Sequence, residues 1–190
     1  MAVVRGALAG AVAGLVASWA MESFQASWTN ASEQIQRQRV LMREGSGRRR
    51  GAKGGPDDPA AMDLPRDEGP QEDPSTVKVA SAVAEPILER ELSDEEKPVA
   101  GEIVHYGFGA FNGAIYGALA EIPLLPIKAF NGMLFGAALW ITADEYMVWK
   151  LGIRKEEPRF PSLTHAYALA SHLVYGLTLE TVRRAIRWLA

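Results

Sequence analysis

The sequence predicts an all-α fold, a four-helix transmembrane bundle with glycine-stripe packing, a surface amphipathic helix and a disordered linker. Apolar stretches of about 20 residues recur along the chain, and as helices they match the ~30 Å hydrocarbon core of a bilayer. Within these stretches glycine recurs at every fourth position, a spacing that lets two helices approach closely. A polar stretch rich in Gly, Pro and charge separates the first apolar stretch from the others. The mean hydropathy of -0.05 averages these parts and therefore conceals the spans.

Four parts of the chain follow from this pattern. They are transmembrane helix 1 (1–22), a polar segment with the disordered linker (23–74), the amphipathic helix (75–92), and transmembrane helices 2 to 4 (93–190). The net charge of -3 argues against a nucleic-acid partner, because no excess of Lys and Arg exists to neutralise phosphates. The absence of cysteine excludes disulfides, thiolate metal sites and a cysteine nucleophile.

Helix 1 is predicted from Val3 to about Met21, with Arg5 as its one charge. A secretory signal peptide is the alternative, with Arg5 as the basic region and residues 17–20 as a cleavage site. A glycine stripe favours a retained helix, since a discarded peptide needs no surface for close helix contact. The stripe consists of Gly6, Gly10 and Gly14.

The stretch from Glu44 to Pro74 is predicted to be a disordered linker, because Gly, Pro and charge dominate it. Its basic half, around Arg48, Arg49 and Arg50, precedes an acidic half. The three arginines suit either a contact with lipid headgroups or a solvated charge run, and the second interpretation is favoured.

An amphipathic helix is predicted from Ser75 to Leu92, with Pro86 as a kink, because apolar residues recur at helical spacing. Ser93 and Glu96 then fit a capping box at the start of helix 2.

Helices 2, 3 and 4 are predicted at about Val99–Leu119, Ala129–Trp149 and Leu163–Val182. The short segment EIPLLPIK makes helices 2 and 3 antiparallel neighbours. Helices 2 and 3 carry their own glycine stripes, and packing within one bundle is favoured over a seam with a second copy of the chain. These stripes are Gly109, Gly113 and Gly117, and Gly132 and Gly136.

The distribution of positive charge favours cytoplasmic termini. Cations flank the N-terminus, the helix 2/3 turn and the C-terminus slightly more often than the opposite side, and cytoplasmic loops carry the excess of Lys and Arg. The long linker is left out of this comparison, because long loops translocate regardless of charge, and counting its arginines reverses the result.

Ionisable side chains within the predicted spans form the candidate functional site, since such groups are costly in hydrocarbon. The alternating direction of the spans brings most of them into one half of the bilayer, with His172 about two turns deeper on the same face as His165. The set is Glu22, His105, Asp144, Glu145, His165 and His172, and the predicted spans also contain Glu102 and Glu180.

Three interpretations of this set stay open. The groups form hydrogen bonds that hold the helices together, they relay protons or ions, or they bind a metal or haem. The first interpretation is favoured. The spacing matches no established metal motif, so the cofactor stays unknown, and no catalytic residue is assigned. The weak candidate metal ligands are His105, Asp144, Glu145, His165 and His172.

The last three spans contain the segments HYGFGAFNGAIYGALAEIP, ADEYMVWKLGI and THAYALASHLVYGLTLETVRRAIR. Together these segments resemble the YagU-like family of predicted bacterial inner-membrane proteins, a domain family of unknown function. The most specific likeness is residues 171–174 followed by Glu180 and the Arg183-Arg184 pair. The resemblance implies a multi-pass protein of the bacterial inner membrane with the arginine pair in the cytoplasm, and it implies no activity.

The sequence therefore predicts a small integral membrane protein with a structural or accessory role, and a non-enzymatic role is favoured over an enzymatic one. Its expected partners are the lipid bilayer and either another membrane protein or a second copy of itself. Proton or ion conduction and a membrane-embedded metal or haem site are the alternative functions.

Overall fold

The computed structural model describes residues 1–47, 75–122, 131–143 and 162–189. These residues form helices joined by short turns, with no strand in the described ranges, so the prediction of an all-α fold is confirmed. The helices are α1 (Ala2–Gly47), α2 (Ser75–Leu88), α3 (Glu96–Leu119), α4 (Asn131–Trp140) and α5 (Ser162–Leu189).

The chain divides into two compact units. One unit comprises Met1–Gln25 with Asp73–Ala190, and the other comprises Ala26–Glu72. In the second unit the structure describes 26–47, the C-terminal part of α1. An exposed ion pair between Arg37 and Glu33, one helical turn apart at 3.8 Å, lies on this part of the helix.

Helix α1 continues well beyond the predicted end of helix 1 near Met21. Between Glu22 and Arg43 the sequence contains neither Gly nor Pro, so nothing in it breaks the helical hydrogen bonds. Ser23 donates a hydrogen bond to the Trp19 carbonyl 2.9 Å away, which keeps this hydroxyl within the helix. The apolar stretch therefore ends near Met21, whereas the helix continues. The predicted linker from residue 48 onward lies outside the described residues.

Helix α2 ends at Leu88, four residues before the predicted end at Leu92. The reason is Glu89, whose φ of 55° is left-handed and stops the helix. The chain then reverses into α3 through the predicted capping box. The Ser93 amide donates to Glu96 Oε2 at 2.9 Å, and the Glu96 amide donates to Ser93 Oγ at 3.3 Å.

Arg90 reinforces the same turn with two hydrogen bonds to the Glu96 carboxylate, each 2.7 Å long. These bonds, followed by the bond from the Ser93 amide, lower the pKa of Glu96 to about 2. The ionised carboxylate thus contributes stability above its ordinary pKa, and this contribution is lost as the pH falls through about 2.

The glycine stripes of α1 and α3 face each other. A Cβ added at Gly10 would overlap the carbonyl oxygen of Gly113, and one added at Gly14 would overlap that of Gly109. Gly6 stands in the same relation to Gly117. Successive glycines of α1 therefore meet glycines that come earlier and earlier in α3, which means that the two helices run antiparallel. Their backbones are in contact along the two stripes.

A second glycine contact joins α4 to α5. Gly132 lies against the backbone of Gly176, and Gly136 lies against the carbonyl group of His172. These helices are also antiparallel. Helix α4 is described from Asn131, and the apolar helix extends to Ala143. The predicted start at Ala129 lies outside the described residues. The rest of the predicted helix 3, to Trp149, lies outside the described residues.

Helix α5 runs parallel to α3. Tyr175 contacts Gly109 near the middle of both helices, and Arg187 contacts Glu121 at their C-terminal ends. The helix extends to Leu189, beyond the predicted end at Val182. Helices α1 and α4 therefore run opposite to α3 and α5.

The core of the first unit combines small residues with two tyrosines. On α1 the buried positions form two adjacent rows of period four, one of glycine and serine and one of alanine. Two members of the alanine row, Ala13 and Ala17, join Tyr116, Leu139, Tyr175 and Leu179 in the main hydrophobic cluster. Small side chains thus let the larger ones of α3, α4 and α5 fill the interior. The alanine row consists of Ala9, Ala13 and Ala17.

Large apolar side chains cover the outside of the same helices. Leu8 on α1, Ile103 and Phe111 on α3, and Leu134 on α4 each expose more than half of their surface. Among the described helices, α1 is the one long and apolar enough to cross a membrane by length and composition, and 39% of its most apolar window is buried.

We expect Gly113→Ala to destabilise the protein by about 1–3 kcal/mol, because the added methyl group forces the backbones of α1 and α3 apart. Gly107→Ala on the same helix is the matched control. A Cβ there meets nothing within 4 Å, and the better helix propensity of alanine stabilises by about 0.5–1 kcal/mol. Thermal unfolding of the purified variants measures both effects. Equal melting temperatures for the two variants would contradict the contact.

Candidate functional site

The described polar side chains of the first unit concentrate at the two ends of the bundle. We call the group of Glu22, Glu102, His105 and Tyr106 the carboxylate pocket. It lies at the N-terminal end of α3, beneath α2. The opposite end carries the arginine cluster, which comprises Glu121, Glu180, Arg183, Arg184 and Arg187.

The carboxylate pocket is a cavity of about 210 Å³. Tyr106 donates a 2.5 Å hydrogen bond to Glu22, which joins α3 to α1 at the mouth of the pocket. Helix α2 reaches this site because Gly101 has no side chain, and Val77 of α2 occupies the space that a Cβ would need. Two carboxylates, a phenol and an imidazole therefore line one small opening, a set that can exchange protons.

The arginine cluster is the most buried group of charges in the described residues. The side chain of Glu180 is 3% exposed and accepts hydrogen bonds from Arg183, at 2.9 and 3.1 Å, and from Arg184. Gly132 of α4 makes this burial possible, since its missing Cβ leaves room for the Cβ of Glu180. A buried carboxylate held by two guanidinium groups stays ionised and anchors the C-terminal half of α5.

Glu121 connects this cluster to α3. Its carboxylate accepts two hydrogen bonds from Arg187, at 2.9 and 3.1 Å, and lies 3.8 Å from Arg183. The Arg183 guanidinium also lies over the ring of Tyr116, 5.8 Å from its centroid. These contacts join α3 and α5 at their C-terminal ends.

The structure describes the side chains of two predicted histidines, and each lies near a backbone carbonyl group. His105 is half-buried. His105 Nε2 lies 3.4 Å from the Ser18 carbonyl oxygen of α1. His172 is buried, and its Nδ1 lies 2.9 Å from the Ala168 carbonyl oxygen one turn earlier in α5. Relative to the contact between Tyr175 and Gly109, both lie toward the end that carries the carboxylate pocket.

The other predicted site residues fall at the limits of the described ranges. Glu22 is exposed at the carboxylate pocket. His165 belongs to α5, but its side chain lies outside the described residues, as do Asp144 and Glu145 altogether. No group of three or more potential metal ligands occurs among the residues searched, which are the described ones. Glu22 and His105 thus share a pocket without forming a metal-ligand set of their own.

Sequence reasoning missed the arginine cluster as a unit. It assigned Glu121 to a turn and treated the three arginines as the end of helix 4. The signal was present, because Glu180 precedes Arg183 and Arg184 by three and four residues, which is the spacing of helical ion pairs. Gly176 was also missed, although the stripe on helix 3 needed a small partner residue on an antiparallel neighbour.

No protein-family model matches the chain, and neither a curated protein nor a solved structure matches it.

We expect Glu180→Gln to destabilise the protein by about 3–5 kcal/mol, because it leaves the largely buried Arg183 without its closest counter-charge. Glu33→Gln is the matched control. It removes an exposed ion pair with Arg37, which contributes about 0–1 kcal/mol. Unfolding of both variants by heat or denaturant gives the comparison. A loss no larger for Glu180→Gln than for Glu33→Gln would show that the cluster is solvated.

Proposed function

We propose that this chain is a small, non-enzymatic integral membrane protein, a four-helix transmembrane bundle of the bacterial inner membrane with a structural or accessory role. The spans are the first part of α1, together with α3, α4 and α5. The buried polar groups hold these helices together, and the exposed apolar faces contact lipid or a membrane-protein partner.

One observation carries the proposal, namely that polar and charged residues are buried inside the bundle while many large apolar residues are exposed on its outside. Buried positions include Ser18, Ser171, His172 and Glu180. Between Glu102 and Glu121, by contrast, five large apolar side chains of α3 are exposed. A soluble helix turns such residues toward the core, whereas hydrocarbon surroundings favour them on the outside. The five are Ile103, Phe108, Phe111, Ile115 and Leu119.

The separation of the two polar ends supports the same proposal. At about 1.5 Å per residue, Glu102 and Glu121 lie roughly 28 Å apart along α3, close to the ~30 Å of a hydrocarbon core. On α1 the charges at Arg5 and Glu22 bound a stretch of similar length. The carboxylate pocket and the arginine cluster would then lie at the two interfaces. The exposed tryptophans Trp19 and Trp188 suit such positions.

The contacts of α1 support a retained span over a signal peptide. Its glycine stripe lies against α3, and its Ala13 and Ala17 belong to the main hydrophobic cluster. A cleaved peptide would leave both surfaces of the bundle uncovered. Helices α3 and α5 fall short of the hydropathy of α1 because histidine and charged residues interrupt their apolar sequences.

The arginine cluster supports an orientation with both termini in the cytoplasm. Arg5, Arg183, Arg184 and Arg187 lie at that end of the bundle, and the positive-inside rule puts such an excess on the cytoplasmic side. The resemblance to the YagU-like family implies the same orientation and location. The polar contacts support a structural role, since His105 and His172 both meet backbone carbonyl groups.

We expect single cysteines to report the proposed topology, because the natural chain has none and each introduced thiol is unique. In intact bacterial cells an impermeant maleimide should label Asp94→Cys, and it should label Trp188→Cys after permeabilisation. Three spans separate these two exposed positions. Phe111→Cys should stay unlabelled until the membrane is dissolved, although its side chain is 63% exposed. Labelling of Phe111→Cys as fast as Asp94→Cys would contradict membrane embedding.

Proton or ion coupling is the second candidate function, and the carboxylate pocket is the observation that favours it. A relay in a membrane needs an opening that brings water to an ionisable group, because such groups lose their charge in dry hydrocarbon. The pocket of about 210 Å³ provides this opening beside His105.

If this second hypothesis holds, we expect liposomes that contain the purified protein to show a higher proton flux than empty liposomes. The substitution His105→Gln should remove this increase. The substitution keeps a polar side chain but removes the titratable ring. Gly107→Ala is a control on the same helix that leaves the pocket unchanged. Equal flux through wild-type and empty liposomes would exclude the relay and leave the structural role in place.

A further inference from the structure

A groove runs between the N-terminal part of α1 and the last turns of α5. Its volume is about 360 Å³. The apolar wall is formed by Leu8, Ala9 and Val12 of α1 with Ile186 of α5, and Arg5 and Arg187 complete the lining. Leu8 and Val12 are exposed by 64% and 52%, so a partner reaches this wall without displacing any side chain.

The charges at this end of the groove are predominantly positive. Arg187 is held in place by its two hydrogen bonds to Glu121. Arg5 is exposed, and no carboxylate among the described residues pairs with its guanidinium. With the arginine cluster beside it, the described part of this end of the bundle carries four arginines and two glutamates. An anion bound here meets a net positive field.

We propose that this groove binds an anionic phospholipid. Its acyl chain lies along Leu8, Val12 and Ile186, and its phosphate faces Arg5 and Arg187. The combination favours this occupant because the apolar wall suits a hydrocarbon chain and the arginines suit a phosphate, which guanidinium groups bind through several parallel hydrogen bonds. The proposal rests on the membrane embedding proposed above.

The position of the groove agrees with this occupant. Arg5 lies at the start of the apolar stretch of α1, where the proposed span meets the cytoplasmic interface. That leaflet carries the anionic lipids of the membrane, and basic residues next to a span attract their headgroups. A zwitterionic lipid offers the same chain without the net charge, and inorganic phosphate offers the charge without the chain.

Native mass spectrometry of the purified full-length protein in detergent tests the proposal. The probes are phosphatidylglycerol, phosphatidylcholine and inorganic phosphate, each titrated separately. Wild type should bind phosphatidylglycerol at least about fivefold more tightly than phosphatidylcholine. Arg5→Gln should weaken phosphatidylglycerol binding about fivefold, which corresponds to the ~1 kcal/mol that one basic residue contributes at a membrane surface.

Two further variants separate the roles of the charge and the wall. Val12→Trp should lower the binding of both lipids, because the larger side chain covers the wall while both arginines remain. Arg37→Gln, which removes another exposed arginine that does not line the groove, should bind as wild type does. The substituted side chains are exposed, and an unchanged melting temperature confirms that each variant is folded.

Equal affinity for the two lipids, or an unchanged affinity in Arg5→Gln, would overturn the proposal. If inorganic phosphate displaces the lipid completely, the groove is an anion site whose apolar wall binds no acyl chain. If the wild type is a dimer and Val12→Trp is not, a second copy of the chain fills the groove. Either result also overturns it. If the lipid test fails while Phe111→Cys stays protected from the maleimide, this inference alone is refuted. If Phe111→Cys is labelled, the membrane embedding on which the inference rests is refuted.

Discussion

The contact of backbone with backbone at the glycine stripes is the constraint on which the rest of the bundle depends. Gly10 and Gly113 meet without an intervening side chain, and Gly136 meets the His172 backbone in the same way. At such short range the hydrogen-bonding groups of one helix come within reach of side chains on the next. Ser18 and His105, and likewise Tyr175 and Gly109, are neighbours because the helices are this close.

The same closeness explains how the interior tolerates charge. Between bulkier helices Glu180 would need a wide, wet cavity, but beside Gly132 it fits against the backbone and its carboxylate meets two arginines. Glu121 then connects this group to α3. Buried ion pairs of this kind contribute little net stability, yet they allow few alternative arrangements of the helices they join. The glycine contacts therefore determine the distances between the helices, and the arginine cluster determines which helix ends lie next to each other.

Local patterns in the sequence were sufficient to predict the helices, the three glycine stripes and the capping box at Ser93, because each depends on residues within one turn of one another. The partners across the bundle were harder to predict. Gly176 belongs to no stripe of its own, and Glu121 lies in a proline-rich turn, so their roles follow from contacts between distant segments. The end of α1 was misjudged for another reason. Hydropathy marks where the apolar stretch stops, whereas a helix continues until its backbone is interrupted.

The pairing of α1 with α3 has a consequence for synthesis of the chain. The partner stripe around Gly113 leaves the ribosome roughly a hundred residues after Gly10, a delay on the order of 5 to 20 seconds at ~5–20 residues per second. During that interval α1 presents an uncovered strip of glycine and serine to its surroundings. Fast local helix formation is followed by a slow long-range pairing step. The stripe is thus most exposed to pairing with a neighbouring nascent copy before its own α3 arrives.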